Sequence, residues 1–118
     1  MKAGDLGREY QDGEAIITQG EVGDRMYVVQ SGKVEVVRTD GAAEVRLAEL
    51  KQGDFFGEMA LFDKDVRSST VRAKGTARVL TIDKKMFLRK VHEDPSLAFR
   101  IMEKMSRRIR ELNEQAGK

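Results

Sequence analysis

A chain of 118 residues is long enough for one domain that takes roughly two-thirds of its extended-chain surface out of water, so it needs no metal or disulfide to fold. It has no cysteine, which excludes disulfides, thiolate metal sites and thiol nucleophiles and fits a reducing cytoplasm. Lys and Arg number 22 against 20 Asp and Glu, and the formal +2 that remains is too weak a field for nonspecific nucleic-acid binding. No apolar run approaches the roughly 20 residues needed to cross a bilayer, and residues 1–8 carry no hydrophobic signal core. The chain reads as soluble and cytoplasmic, with no membrane partner.

Turn residues recur at Asp12-Gly13, Gly20, Gly23, Ser31-Gly32, Asp40-Gly41, Gly53 and Gly75, separating short apolar stretches rich in β-branched residues. That spacing predicts many short antiparallel strands. Lys33-Val34-Glu35-Val36 and Glu44-Val45-Arg46-Leu47 alternate apolar with polar, so each offers one face to a core. Asp40-Gly41 between them is a strong hairpin signal, because glycine accepts the positive φ of a tight turn. A sandwich or jelly roll follows for residues 10–83.

Within that stretch the run Phe55-Phe56-Gly57-Glu58-Met59-Ala60-Leu61 is followed by Arg67-Ser68-Ser69-Thr70-Val71. A turn glycine and a carboxylate thus stand at a fixed interval before an arginine flanked by small residues. A phosphodiester wants a guanidinium fork and converging backbone N–H groups. The carboxylate would repel a phosphate, but it can accept the proton of a ribose hydroxyl. Together the two roles fit one small nucleotide. The bland alternative is a surface salt bridge between Glu58 and Arg67.

After Asp83 the period changes. Residues 84–92 suit a short helix, and Asp94 before Pro95 is a good start for another, with proline in the first turn where its missing N–H is no loss. Nothing breaks this helix over 95–116. Ala98, Met102, Met105, Ile109, Leu112 and Ala116 alternate in steps of four and three, a coiled-coil seam on a rod of about 30 Å. The seam either packs on strands of the same chain or meets a partner helix. Arg100, Lys104, Arg107, Arg108 and Arg110 make the helix basic, but Glu103, Glu111 and Glu114 are interleaved as on solvated coiled-coil edges.

The run 55–61 with Arg67-Ser68 resembles the phosphate-binding cassette of the cyclic nucleotide-binding domain family. A second signature of that family stands at Gly20-Glu21-Val22-Gly23-Asp24-Arg25-Met26-Tyr27-Val28-Val29, continued by Ser31-Gly32-Lys33-Val34-Glu35-Val36. The match runs over residues 10–112, and Arg67-Ser68 together with Asp94-Pro95 before a long helix is most similar to catabolite activator-like bacterial regulators. The resemblance implies a mainly β fold with C-terminal α: an antiparallel jelly roll (double-stranded β-helix), a short cassette helix and two C-terminal helices, all one domain over 1–118. With the spacing, the apolar flanks and the second glycine motif together, the salt-bridge alternative loses ground.

Carried over by position, the resemblance implies that Arg67 holds the phosphate with backbone N–H groups of Ser68 and of the short helix starting near Glu58. Glu58 takes the ribose 2′-hydroxyl, Gly57 lets the backbone approach the sugar, and Gly32 leaves room at the pocket wall. Phe56, Met59, Ala60 and Ser69 complete the cassette. Ser68 is what catabolite activator-like proteins carry, which favours cAMP while leaving cGMP open. Where those proteins place hydroxyl residues against the base, this chain has Leu112 and Asn113, and Asn113 can donate and accept toward a purine edge.

In the same proteins the long helix is the dimer interface, so a homodimer through Ala98, Met102, Met105, Ile109 and Leu112 is expected. Catalysis finds little support. His92 is a lone imidazole and cannot build a metal shell, and no base is placed to activate a serine or threonine. No cofactor is implied beyond the ligand, cAMP or cGMP. Two functions follow: a nucleotide sensor in which helices 84–92 and 95–116 close over the base, or an interaction module with a weak or unused pocket. No DNA-binding, kinase, channel or cyclase segment is recognised, so the downstream protein is unknown. Met1 and the nonhelical lead-in over 1–8 favour a stand-alone sensor over a piece cut before an output domain.

Overall fold

The structure, a computed structural model, describes residues 7–62 and 65–116. Most of the lead-in expected over residues 1–8 lies outside that set. The chain divides into two compact units at Lys84 and Lys85.

The first unit is antiparallel β. Its strands are β1 (Arg8–Tyr10), β2 (Ala15–Ile17), β3 (Val22–Gly23), β4 (Met26–Asp40), β5 (Ala43–Lys51), β6 (Phe55–Phe56), β7 (Asp65–Val66) and β8 (Thr70–Ile82). The large sheet runs β1-β8-β4-β5, with β2 also on β8 and β6 on β4, while β3 and β7 form a separate two-stranded ladder. The hairpin at Asp40-Gly41 is present: Asp40 pairs with Ala43, and Gly41 turns the chain at φ +65°.

The strands are not all short. Ser31-Gly32 and Gly75, expected as turns, lie inside β4 and β8, which run 15 and 13 residues. Ser31 pairs with Arg78 and Lys33 with Lys74, so Gly32 alone faces the three residues Gly75, Thr76 and Ala77. Both glycines have positive φ, +77° and +73°, and here that conformation bulges a continuing strand instead of reversing it.

Alternation along β8 sends Val71, Ala73, Ala77 and Val79 inward. With Tyr10, Val29, Val34 and Phe56 from other strands, Val71, Ala73, Ala77 and Val79 make the central cluster. Val29, Val34, Val71 and Val79 are essentially fully buried, which is worth about 1.5–3 kcal/mol for each. Outward, Arg72 Nε donates to Glu35 at 2.7 Å and Nη2 to Glu44 at 2.8 Å, and Lys74 Nζ donates to Glu49 at 2.6 Å. These donors hold the Glu44 and Glu49 carboxyls below their ordinary pKa, and the Glu44 and Glu35 carboxylates in turn push Arg72 above its own.

The second unit consists of α1 (Lys84–Glu93) and α2 (Ser96–Ala116), each within a residue of the sequence expectation. Asp94 starts α2: its Oδ1 accepts from Ser96 N at 3.1 Å and from Ser96 Oγ at 2.6 Å, which lowers its pKa. Of the seam residues, Ala98 and Met105 are half-buried, whereas Met102, Ile109 and Leu112 are exposed.

Candidate functional site

The cassette begins at β6, where Phe55 and Phe56 pair with Val28 and Tyr27 of β4. Phe56 is buried and stacks on Tyr27 with ring centroids 5.2 Å apart and planes 15° from parallel. This fixes the level at which the chain leaves the sheet. Gly57 then takes a left-handed conformation, φ 76° and ψ 13°, and starts a four-residue 3-10 turn over Glu58–Leu61. The positive φ favours glycine there, and a Cβ on Gly57 would press on Arg67 Nη1 at 3.0 Å and on the Arg25 carbonyl oxygen at 3.2 Å. The expected short helix is thus a single tight turn. Glu58 and Ala60 are buried on it, and Met59 is exposed.

Arg67 comes to the same place from the other side. Its backbone continues the β3–β7 ladder: Arg67 N donates to the Glu21 carbonyl and Gly20 N donates to the Arg67 carbonyl, both at 2.8 Å. The side chain then folds inward and is only 8% exposed. Nη2 donates to the Arg25 carbonyl at 2.8 Å, Nη1 donates to the Gly57 carbonyl at 3.3 Å, and Cζ lies 5.9 Å from the Tyr27 ring centroid. Among the described residues it forms no ion pair with a carboxylate.

A buried guanidinium normally has a counter-charge, because carbonyl dipoles only partly replace the water it has lost. Arg67 engages two of its five N–H donors on carbonyls, and the remaining donors suit an anion. Beside it opens a cavity of about 280 Å³, close to the lower end of small-molecule sites. Ile16, Ile17, Thr18 and Tyr27 line it with the stretch Glu21-Val22-Gly23-Asp24-Arg25, and Arg67 is the cassette residue that reaches it.

The structure therefore brings Gly57 and Arg67 into contact, with Glu58 next in the chain and buried. Ser68 is exposed and Ser69 half-buried just beyond Arg67. Gly32 does not line that cavity; a Cβ on it would stand 2.2 Å from the Thr76 carbonyl oxygen, so glycine there serves the closeness of β4 and β8. Asn113 is exposed on α2 in the second unit. Sequence reasoning gave no role to Gly23, Arg25 or Tyr27, which surround the guanidinium. The signal available was the second glycine signature, in which all three stand.

Residues 7–94 match the family model for the cyclic nucleotide-binding domain. The cAMP-activated global transcriptional regulator CRP of Salmonella typhimurium is 33% identical over 111 residues, 92% of this chain and 53% of that protein. The cAMP-dependent protein kinase regulatory subunit of Yarrowia lipolytica is 46% identical over 79 residues, 67% of this chain and 20% of that one. The chain therefore spans about half the length of the first and a fifth of the second. Among solved structures, the Thermus thermophilus catabolite activator protein superimposes with a TM-score of 0.81 at 35% identity, covering 92% of this chain and 51% of that chain. The regulatory domain of Toxoplasma gondii PKA with cAMP superimposes with a TM-score of 0.67 at 28% identity, covering 85% and 40%.

Proposed function

The chain belongs to the cyclic nucleotide-binding domain family, and we propose that it is a non-catalytic sensor that binds a cyclic nucleotide, cAMP in preference to cGMP. The observation that carries this reading is Arg67, a buried guanidinium with two carbonyl partners and no carboxylate among the described residues. A cyclic phosphodiester carries one negative charge and would supply the missing counter-ion at the remaining N–H donors. Glu58 would accept from the ribose 2′-hydroxyl, with Gly57 allowing the sugar close to the backbone. Phe56, Met59 and Ala60 hold the turn, and Ser68 and Ser69 offer hydroxyl and backbone donors to the phosphate and base. The preference for cAMP is supported by relatives named for cAMP activation or dependence, while the EAL enzyme Bd1971, at 29% identity and a TM-score of 0.68, has a structure in a cGMP-bound form and keeps cGMP open.

The helical unit supplies the output in this reading. A ligand can move α1 and α2 only by binding one of their arrangements better than another, and Asn113, which can donate and accept toward a purine edge, is the candidate for that difference. The exposed Met102, Ile109 and Leu112 favour a homodimer through α2, and the same residues support a second reading, an interaction module with a weak pocket. Among the described residues no helix is long and apolar enough to cross a membrane, and a cytoplasmic site of action is proposed on the relatives' regulatory character.

Parallel calorimetric titration with cAMP and cGMP tests the two readings. Micromolar or tighter binding, with cAMP the stronger ligand, supports the sensor. Silence with both nucleotides, beside a dimer in sedimentation, supports the interaction module.

A further inference from the structure

We propose that Gly23 is the positioning residue of Arg67: its missing side chain is the seat in which the guanidinium lies. The inference rests on the nucleotide-sensor reading and adds a residue to it. Seven glycines of the described chain have positive φ, between +65° and +90°, and at those positions the backbone conformation itself favours glycine. Gly23 is not among them. Its backbone is ordinary strand, paired with Asp65 across the β3–β7 ladder, and any residue could adopt it.

The space around Gly23 is what excludes a side chain. A Cβ there would stand 2.2 Å from Nε of Arg67, 2.3 Å from Cζ and 2.3 Å from Nη2. All three atoms belong to the guanidinium, and none to the backbone. The obstruction is thus the far end of a side chain that can swing away, and an added methyl group moves the arginine more readily than the fold. Elsewhere the guanidinium is bounded by the Arg25 and Gly57 carbonyls and the Tyr27 ring. Bidentate recognition of a phosphate depends on the direction of the fork, so displacing it by the width of a methyl group misaims the remaining donors.

The test uses the full chain with Gly23→Ala, Arg67→Ala and the double variant, each titrated with cAMP and with adenosine, which lacks the phosphate. Gly23→Ala is expected to weaken cAMP at least roughly tenfold, to leave adenosine unchanged, and to melt within about 3 °C of the parent. The double variant is expected to bind cAMP no more weakly than Arg67→Ala, because the seat has no occupant left to aim. Unchanged cAMP affinity in Gly23→Ala, or losses that multiply in the double variant, would overturn the proposal.

If Gly23→Ala fails to fold, a folded double variant supports the seat, since removing the guanidinium removes the clash. An unfolded double variant overturns it. If the parent chain binds no cyclic nucleotide, the sensor reading fails by itself, and the seat is judged by the Arg67 Nε–H resonance. A displaced resonance in Gly23→Ala, with the spectrum beyond its neighbours unchanged, upholds the seat, and an unmoved one rejects it.

Discussion

Two arginines five positions apart on the chain, Arg67 and Arg72, live in opposite electrostatic circumstances. Arg72 lies on the outer face of the sheet, about one-third exposed, and bridges Glu35 and Glu44 at 2.7 and 2.8 Å. Arg67 lies inside, 8% exposed, and among the described residues its side chain donates to the carbonyls of Arg25 and Gly57 and to no carboxylate. The first charge is matched within the fold and adds little beyond a screened surface network. The second is desolvated with its charge unmatched among the described residues, and that is where an anion gains most. On the proposed function, burial combined with incomplete pairing is what marks Arg67, and not Arg72, as the arginine for an anion.

The comparison breaks most directly by truncation. Removing one member of a buried charge pair costs on the order of 2–5 kcal/mol, so Arg67→Ala should weaken cAMP at least roughly 30-fold in calorimetric titration. Arg72→Ala should leave the same affinity within about threefold. Equal losses from the two variants would mean that the two circumstances do not differ in the way described.

Glu58 sharpens the contrast, because the role assigned to it requires an acceptor beside the buried cation. A hydrogen bond to a charged group contributes about 1.5–3 kcal/mol, so Glu58→Ala should cost about tenfold to a hundredfold for cAMP. It should cost far less for the 2′-deoxy analogue, which has no hydroxyl to donate. A loss of the same size for both nucleotides would remove Glu58 from the ribose.

Smaller effects belong to the matched arginine. Arg72→Ala should lower unfolding stability by no more than about 1 kcal/mol, with a difference that shrinks as salt is raised in denaturant titrations. The pH dependence has a defined sign. Arg72 and Lys74 depress the folded-state pKa of Glu44 and Glu49 below the ordinary 4.5, so their contribution is fully present above that value and is lost as pH falls through the lower folded values. In acid unfolding below about pH 4.5 the parent should therefore lose its advantage over Arg72→Ala. An advantage that grew on acidification would contradict the pairing.

Local chemistry made much of the fold readable. Asp40-Gly41 marks the hairpin because a two-residue turn needs a positive φ, and Asp94-Pro95 marks the start of α2 because a cap and a proline both act within one turn. Gly32 and Gly75 misled for the same reason: a positive φ looks alike whether it reverses a strand or bulges it, and the register of β4 against β8 decides between them across more than 40 residues.

The site divides similarly. Gly57, Glu58 and Arg67 stand close enough in sequence to be read as a cassette, although the short helix proved to be one 3-10 turn. The partners that hold Arg67 stand about 40 residues earlier, at Gly23, Arg25 and Tyr27. Their signature was visible, but that it wraps the guanidinium depends on the β3–β7 ladder, which no local pattern announces.

The most direct measurement is the affinity of the full chain for cAMP against adenosine at one ionic strength, in the parent and in Arg67→Ala. The account predicts that the parent prefers cAMP by at least roughly 30-fold and that this preference collapses in the variant. A parent that binds adenosine as well as cAMP, or a variant that keeps the preference, would contradict the claim that Arg67 is the anion site.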